Sequence, residues 1–511
     1  MEVESLSEAG VNREDIGVST LLQLLGKGAS ACPDKLAVVT PEGSITYAQA
    51  YELAISLARY YIYGLGLGPK DTMLVYLSNC CELPSLIAAG EAVGLRIVLR
   101  PPSVAESSVW SDATLAGASL IVLKQGRRCP PREGEFRAVP VLRAGTKADP
   151  SSLRGVAGRA ICGDITHRLY PEKSQLVLFT SGTTGEPKGI VHSPRSFAYN
   201  AQLLTEALGF GSDEVLLAPV PIFHVYGLVS MFAALRRCST WAVVESFSAS
   251  GFQEFAERVR PTIYFCVPTM LIRGMLADDS RSKKFSRLRV CMVAGDMCPG
   301  DVLEKFEKRY GCKMVLSYGM TETAATLTVE DPCTDEGIRR KSVGRPIGGV
   351  TMAIEKGTGE ILVQTPSVMV GSLDRGGFTP FEPDGGWLRT GDVGSIDADG
   401  RLMVLSRMKN VIIRGGASVY PSQVERTYRQ HPAVEDCAVV GIPDGVLGQK
   451  VCLCVVGKPR CQETLDGFRE FGKTRLEKGM LPDKVVFLDN IPITQGGKRD
   501  DAALAEMAAK S

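Results

Sequence analysis

The chain has 511 residues, 58 of them basic and 57 acidic, for a formal net charge of +1. That balance carries no electrostatic footprint for nucleic acid or an anionic membrane as partner, and the length exceeds one compact core, so two or three domains are expected. With 44% hydrophobic and 23% charged residues, the composition excludes a chain that is disordered by default.

The opening "MEVESLSEAG" is acidic and polar and does not read as a secretory signal. No uncharged apolar run reaches the ~18 residues that a membrane helix needs. A soluble, cytoplasmic protein without a membrane span is therefore expected. The 15 cysteines are scattered, and no pair of CxxC motifs marks a zinc site. Reduced, mostly buried thiols are the expectation, with Cys452 and Cys454 on one face of a strand and Cys80 and Cys81 in an apolar stretch.

In chain order, "LAVVTPEGSITYAQA" reads as strand, turn, strand and helix start. "TYAQAYELAISLARYYIYGLGLGP" has apolar residues at helical spacing and stops at glycines and Pro69. "DTMLVYLSN" is a buried strand and "ELPSLIAAGEAVGL" another helix. From 175 to 319, strands ("QLVLFT", "EVLLAP", "WAVVES", "TIYFCV", "RVCMVA", "MVLSYG") alternate with helices ("YGLVSMFAALRR", "GFQEFAERVR", "MLIRGMLADD", "GDVLEKFEKRY"). Such alternation predicts a largely parallel sheet covered by helices. Ligands bind such sheets at loops beyond the carboxyl ends of strands.

Residues 343–405 are rich in Gly, Pro and short strands and read as a small antiparallel β subdomain with Asp-Gly turns. After 406 a third texture begins: strand "NVIIRGG", helix "YPSQVERTYRQHP", strands "VEDCAVVGIP" and "KVCLCVVG", and helix "LDGFREFGKTRLEK". The expected fold class is a large α/β N-terminal domain, of layered sheets with helices plus the antiparallel subdomain, followed by a small mobile α+β domain. The expected bounds are 1–406 and 407–511.

The strand-like "LVLF" at 176–179 runs directly into "TSGTTGEPKG", which supplies hydroxyls from Thr180, Ser181, Thr183 and Thr184. It also supplies main-chain N–H groups at Gly182, Gly185 and Gly189, and an ammonium at Lys188. Small residues let a backbone close around an anion, and N–H groups in such nests bind phosphate oxygens. This is not the GxxxxGK[ST] phosphate loop, because Gly189 stands where Ser or Thr would follow the lysine.

The ten-residue string resembles the phosphate-loop signature of the adenylate-forming superfamily of acyl- and aryl-CoA ligases, carrier-protein adenylation domains and luciferases. Further strings match in the family's order: "SYGMTE" (317–322), "WLRTGD" (387–392), "SRMKNVIIRGGASVYPSQVE" (406–425) and "PITQGGKRD" (492–500). They resemble, in turn, the adenine, α-phosphate and magnesium segment, the ribose segment, the interdomain hinge, and the catalytic-lysine motif. Two departures stand out. Asp501 occupies a position where Arg or Lys is frequent, and "GGASVYP" replaces a GGENI-like run.

The resemblance implies two half-reactions: a carboxylic acid and ATP give acyl-AMP and pyrophosphate, and a thiol then takes the acyl group. Carboxylate and α-phosphate are both anions; at ~4 Å unit like charges repel by about 1 kcal/mol in water and several times more in a dry site. Positive charge must be gathered and the attack held in line. Lys498 is the implied cation and Mg²⁺ the second, with Glu322 as the metal carboxylate. Thr184, His224, Glu322 and Lys498 form the implied catalytic set.

The nucleotide would be held by residues 180–185 and Lys188, by Gly295 and Asp296, and by Ser317, Tyr318, Gly319, Met320 and Thr321. Asp392 on the ribose, Arg407 and Lys498 complete that set. The acid pocket would draw on His224, Val225, Tyr226, Gly227, Ala294, Gly319, Met320 and Ala325. Val225 offers no partner for a substrate ammonium, which favours an aryl or aliphatic acid over an amino acid.

Gly415, Gly416 and Ala417 would approach the CoA arm after rotation at Lys409. ATP, Mg²⁺ and CoA are the implied cofactors and co-substrate, in a monomer or homodimer. A carrier protein in place of CoA stays open as the thiol source. A catalytically silent nucleotide binder is disfavoured by the joint presence of Lys188, Glu322, Asp392 and Lys498.

Overall fold

The computed structural model describes residues 3–7, 20–124, 127, 141–143, 152–159, 161, 163–181, 187–276, 285–457, 465–492 and 499–510. The chain divides into two compact units. The smaller comprises Met1–Leu6, Met352–Val363 and Trp387–Ser511; the larger comprises Ser7–Thr351 and Gln364–Gly386.

The larger unit is built on two sheets. The nine-stranded sheet runs Arg345–Pro346, Ala325–Val329, Lys313–Met320, Val290–Val293, Ile263–Cys266, Val215–Leu217, Thr240–Ala242, Leu36–Val39, Ser44–Thr46. Its centre is parallel, from Lys313–Met320 across to Leu36–Val39, and both edges turn antiparallel. The eight-stranded sheet runs Gly377–Pro380, Gly371–Asp374, Pro187–His192, Gln175–Ser181, Arg96–Leu99, Thr72–Tyr76, Ala118–Leu123, Val141–Arg143.

Gln175–Ser181, expected in the same alternation as the later strands, instead lies parallel to Arg96–Leu99 in this second sheet. The expected antiparallel subdomain at 343–405 is also divided. Gly371–Asp374 and Gly377–Pro380 leave it to pair beside Pro187–His192. Local composition identified these strands as short and antiparallel, but pairing partners are set by tertiary contacts that alternation does not encode.

The helices of the larger unit follow their sequence signals. Thr20 and Thr46 each form a capping box with a glutamine three residues on, which sets the starts of Leu21–Ala31 and Tyr47–Arg59. Leu83–Val93 is buried along its entire length, and Val225–Arg236 is buried from Tyr226 to Leu235, as helices apolar on all sides must be. Pro194–Ala207 touches both Pro187–His192 of one sheet and Ala325–Val329 of the other. That bridge decides the geometry of the site.

In the smaller unit, Val3–Ser7, Thr351–Glu355, Glu360–Gln364, Leu388–Ile396 and Leu402–Arg407 form a five-stranded sheet. The expected Asp-Gly turn closes its last hairpin, where Asp397 Oδ1 accepts the N–H groups of Asp399 and Arg401. The C-terminal sheet orders Ala417–Val419, Ile412–Arg414, Gly448–Gly457 and Val434–Asp444, with Lys484–Leu488 parallel to Gly448–Gly457. Pro421–Tyr428, Leu465–Lys473 and Asp501–Lys510 are its helices. Cys452 and Cys454 are buried, and all cysteines among the described residues are free thiols.

Candidate functional site

The signature loop leaves Gln175–Ser181 and returns as the antiparallel strand Pro187–His192, so it links two strands and not a strand and a helix. Gly182, Thr183, Thr184 and Gly185 lie outside the described residues, as does Lys498. At the loop's base Thr180 pairs with Lys188, whose side chain is exposed. Gly189 packs against Val177 and the Leu373 carbonyl, so the chain next to Lys188 runs closely between two neighbouring strands.

The return strand ends at His192, which the sequence reading did not single out. Its imidazole is buried, and Nε2 lies 2.7 Å from the carbonyl oxygen of Thr321. Nδ1 has no partner among the described residues. Burial outweighs the Thr321 contact and pushes the imidazole down to about 4, so the ring is neutral at pH 7. With the carbonyl accepting, the proton sits on Nε2. This bond joins the strand that follows one signature string to a residue of another, 129 positions apart.

"SYGMTE" occupies the end of Lys313–Met320 and the single 3₁₀ turn Thr321–Thr323 that connects to Ala325–Val329. The turn is tight because Ala324 and Ala325 both have positive φ, 55° and 99°. Opposite them Gly319 has no room for a side chain: a Cβ there would lie 1.5 Å from the Ala325 carbonyl oxygen. Asn200, on the bridging helix, donates to Thr326 O at 2.6 Å and accepts from Thr326 N at 3.2 Å. Asn200 was not predicted either; its partner lies 126 positions away, and nothing along the half-polar helix marks it. Glu322 O accepts the Met369 N–H at 2.7 Å. Tyr318, Met320, Thr321 and Glu322 keep half-buried side chains, whereas Ser317 is buried. A half-buried carboxylate on a rigid turn suits Mg²⁺, which takes one or two protein oxygens and completes its shell with phosphate and water.

The helix Val225–Arg236 starts after His224, which is exposed at the N-cap position and whose carbonyl accepts the Leu228 N–H at 3.1 Å. Val225 is half-buried. Tyr226 turns inward: its ring stacks on Phe265 at 5.4 Å and its hydroxyl donates to Met292 O at 3.0 Å. Gly227 passes Pro221 so closely that a Cβ would meet the Pro221 carbonyl oxygen at 2.2 Å. Ala294 follows the strand Val290–Val293 and is half-buried; Gly295 and Asp296 are exposed beyond it. The Asp296 carboxylate accepts the Met297 N–H at 2.8 Å.

In the smaller unit Asp392 is buried and Arg407, directly across the hairpin, reaches its Oδ1 at 2.8 Å. Thr390 Oγ1 supports this turn by donating to Ile361 O at 2.8 Å and accepting the Asp392 N–H at 3.1 Å. Glu360 accepts the Gly391 N–H at 2.9 Å and pairs with Arg389 at 2.7 Å. Lys409 is exposed in the 3₁₀ turn Met408–Asn410. Gly415 and Gly416 form a two-residue hairpin turn with φ of 58° and 84°, the positive values that such turns demand. Ala417 pairs with Arg414 across it, and Gly415 N donates to Leu447 O at 2.8 Å.

Residues 26–373 match the family described as AMP-binding enzyme, and residues 423–498 match the AMP-binding enzyme C-terminal domain. A sulfoacetate–CoA ligase of Cupriavidus necator is 30% identical, over 94% of this chain and 96% of its own length. A 2-succinylbenzoate–CoA ligase of Geobacillus sp. is 29% identical, over 90% and 92%. Among solved structures, ATP-bound MatB from Rhodopseudomonas palustris superposes with a TM-score of 0.82 at 24% identity, covering 96% of this chain and 99% of that one. The o-succinylbenzoate CoA synthetase of Bacillus subtilis, solved with its acyl-adenylate, gives 0.77 at 24% identity, with 94% and 97% covered. At that identity the structural likeness is one of fold. Among the described residues, no helix is long and apolar enough to cross a membrane.

Proposed function

The chain belongs to the AMP-binding enzyme family as an AMP-forming acyl- or aryl-CoA ligase that uses ATP, Mg²⁺ and CoA, and from that premise we propose which of its residues do the work. Lys188 and the hydroxyls and N–H groups of 180–185, with Thr184 among them, bind the nucleotide phosphates. Ser317, Tyr318, Gly319, Met320 and Thr321 seat adenine and the α-phosphate, with Gly295 and Asp296 beside the base. Asp392 accepts from the ribose hydroxyls and Arg407 holds Asp392 and the nucleotide together. Glu322 is the carboxylate that would hold Mg²⁺.

The ion supplies positive charge at the phosphates. Lys498 supplies the second positive charge, offsetting the repulsion as the carboxylate oxygen attacks the α-phosphorus and pyrophosphate leaves. His224, Val225, Tyr226, Gly227, Ala294, Gly319, Met320 and Ala325 form the acid pocket. Its substrate is an aryl or aliphatic acid without an ammonium group. Residues 407–511 then rotate against 1–406 at Lys409 and present Gly415, Gly416 and Ala417 to the pantetheine arm, whose thiolate attacks the acyl carbonyl and expels AMP. CoA is the acceptor; a carrier-protein pantetheine is the alternative. The same reading locates the enzyme in the cytoplasm, where ATP and CoA are supplied.

The observation that carries this assignment is the His192–Thr321 bond of 2.7 Å, which brings the strand following the phosphate loop against the α-phosphate turn. Lys498→Ala should abolish acid-dependent pyrophosphate release and leave thioester formation from supplied acyl-AMP intact. Equal loss in both half-reactions would defeat the assignment. The acid itself follows from screening a carboxylic-acid library for pyrophosphate release and repeating the hits with CoA.

A further inference from the structure

The lysine motif departs from the family pattern three residues after Lys498, at Asp501, with Arg499 and Asp500 between them. The structure gives each of the three a separate task. Asp500 N–H donates to Pro492 O at 2.9 Å, so the chain is pinned on both sides of 493–498. Asp500 also starts the last helix: its Oδ1 accepts the Ala503 N–H at 3.0 Å, and its carbonyl accepts the Leu504 N–H at 3.0 Å.

Arg499 sends Nη1 to Glu425 Oε1 at 2.7 Å and Nε to Asp501 Oδ1. The Glu425 carboxylate is 4% exposed and is anchored in turn by the Val439 N–H at 2.9 Å. Asp501 uses its other oxygen, Oδ2, to accept from Asn410 Nδ2 at 2.6 Å. Asn410 is the last residue of the turn that contains Lys409. An unbroken hydrogen-bonded path therefore runs from the hinge turn through Asp501 and Arg499 to a buried glutamate.

A basic residue at 501 could not make this path. It would face the Arg499 guanidinium as a like charge, and it would offer no acceptor to the Asn410 amide. Charge-assisted bonds on a planar guanidinium fix direction as well as distance. Arg499 is the first described residue after Lys498 in the chain.

We propose that Asp501 is a positioning residue for the adenylation half-reaction, tying Arg499, next in the chain to Lys498, to the hinge turn through Asn410. This rests on the reading of Lys498 as the cation of that half-reaction. The acid at 501 is thus a functional substitution in this chain, and Arg499 is the basic partner of Glu425 on the 421–428 helix.

The test uses the full-length enzyme and the two half-reactions measured separately. Asp501→Ala should lower the kcat of acid-dependent pyrophosphate release between about 10- and 100-fold, the range expected when a reacting group is displaced by about an ångström. KM for ATP and for the acid should stay within about twofold, because no bound group is removed. Thioester formation from supplied acyl-AMP should be unchanged. Asn410→Ala, which leaves the Arg499–Glu425 pair in place, should lower the same kcat less. The double variant should be no slower than Asp501→Ala, since both act on one path. Asp501→Asn, which can accept from only one of the two donors with its single oxygen, should fall between.

Equal loss in both half-reactions, a raised KM with unchanged kcat, or additive effects of the two alanines would overturn the proposal. Lys498→Ala, run alongside, separates the two readings. If it abolishes adenylation while Asp501→Ala does not slow it, this inference alone fails; if it spares adenylation, the underlying reading fails.

Discussion

The two compact units hold the residues proposed for the site in different ways. In the larger unit the turn Thr321–Thr323 is fixed without formal charge. Gly319 slides under the Ala325 carbonyl, two alanines take positive φ, Asn200 brackets Thr326, and a neutral His192 holds Thr321. In the smaller unit several segments are held by ion pairs: Asp392 by Arg407, Glu360 by Arg389, Asp483 by Arg414, and Glu425 and Asp501 by Arg499.

Two buried carboxyls show what a charged partner does. Burial pushes Glu91 in the larger unit up to about 8, against the opposing Leu21 N–H, and the carboxyl is largely neutral at pH 7. Asp483 in the smaller unit feels burial most strongly, but the Arg414 and Val451 hydrogen bonds and the Arg414 and Arg469 charges together hold its carboxyl below the usual range. A group buried alone sheds its charge, whereas one buried with a partner keeps it. The contrast is local to these segments, because the larger unit also carries partly buried ion pairs such as Arg339–Glu307 and Arg100–Asp112.

The largest effect expected is from Gly319→Ala. A Cβ 1.5 Å from a backbone oxygen cannot be absorbed by a rotamer change, so the hairpin must shift and acid-dependent pyrophosphate release should disappear. Retained activity in that assay would show that the turn is softer than its geometry indicates.

Glu91→Gln tests the neutral interior through stability against pH. The folded state holds the Glu91 proton to about 8, and the unfolded chain releases it near 4.5. This contribution is therefore complete below about 4.5 and is lost as pH rises through 8, by at most about 5 kcal/mol. Glutamine can still accept from Leu21, so the variant should flatten the loss across that window in urea unfolding curves.

His192 has the opposite sign. Its folded value, about 4, lies below the ordinary 6.5, so its stabilisation is full above 6.5 and is lost as pH falls through 4, by about 3 kcal/mol. His192→Asn should remove that acid limb and slow adenylation, because Thr321 loses its donor. An unaltered acid limb would mean that another group sets it.

The smallest effect is expected at Arg414→Ala in the smaller unit. Asp483 would keep the Val451 N–H and a longer contact to Arg469, so the loss should be about 2 kcal/mol, less than for a fully isolated buried charge. The sharper readout is the carboxyl itself. With the guanidinium gone, burial should prevail and the Asp483 titration, followed by NMR, should move upward. A carboxyl that stays low would end the contrast drawn between the two units.

The sequence by itself determined the chemistry-bearing strings and the local elements. Gly, Ser and Thr around Lys188, the "SYGMTE" string, the capping threonines 20 and 46, and the Gly-Gly hairpin at 415 and 416 all act through neighbours a few residues away, so their patterns can be read along the chain. Tertiary structure alone decided which strands share a sheet. It moved Gln175–Ser181 and Gly371–Asp374 into the sheet of Arg96–Leu99 and set Pro194–Ala207 across both sheets. It also gave His192, Asn200 and Asp501 their tasks. A histidine, an asparagine and an aspartate look alike in any sequence; what each one does depends on the distant carbonyl or amide that folding brings within 3 Å of it.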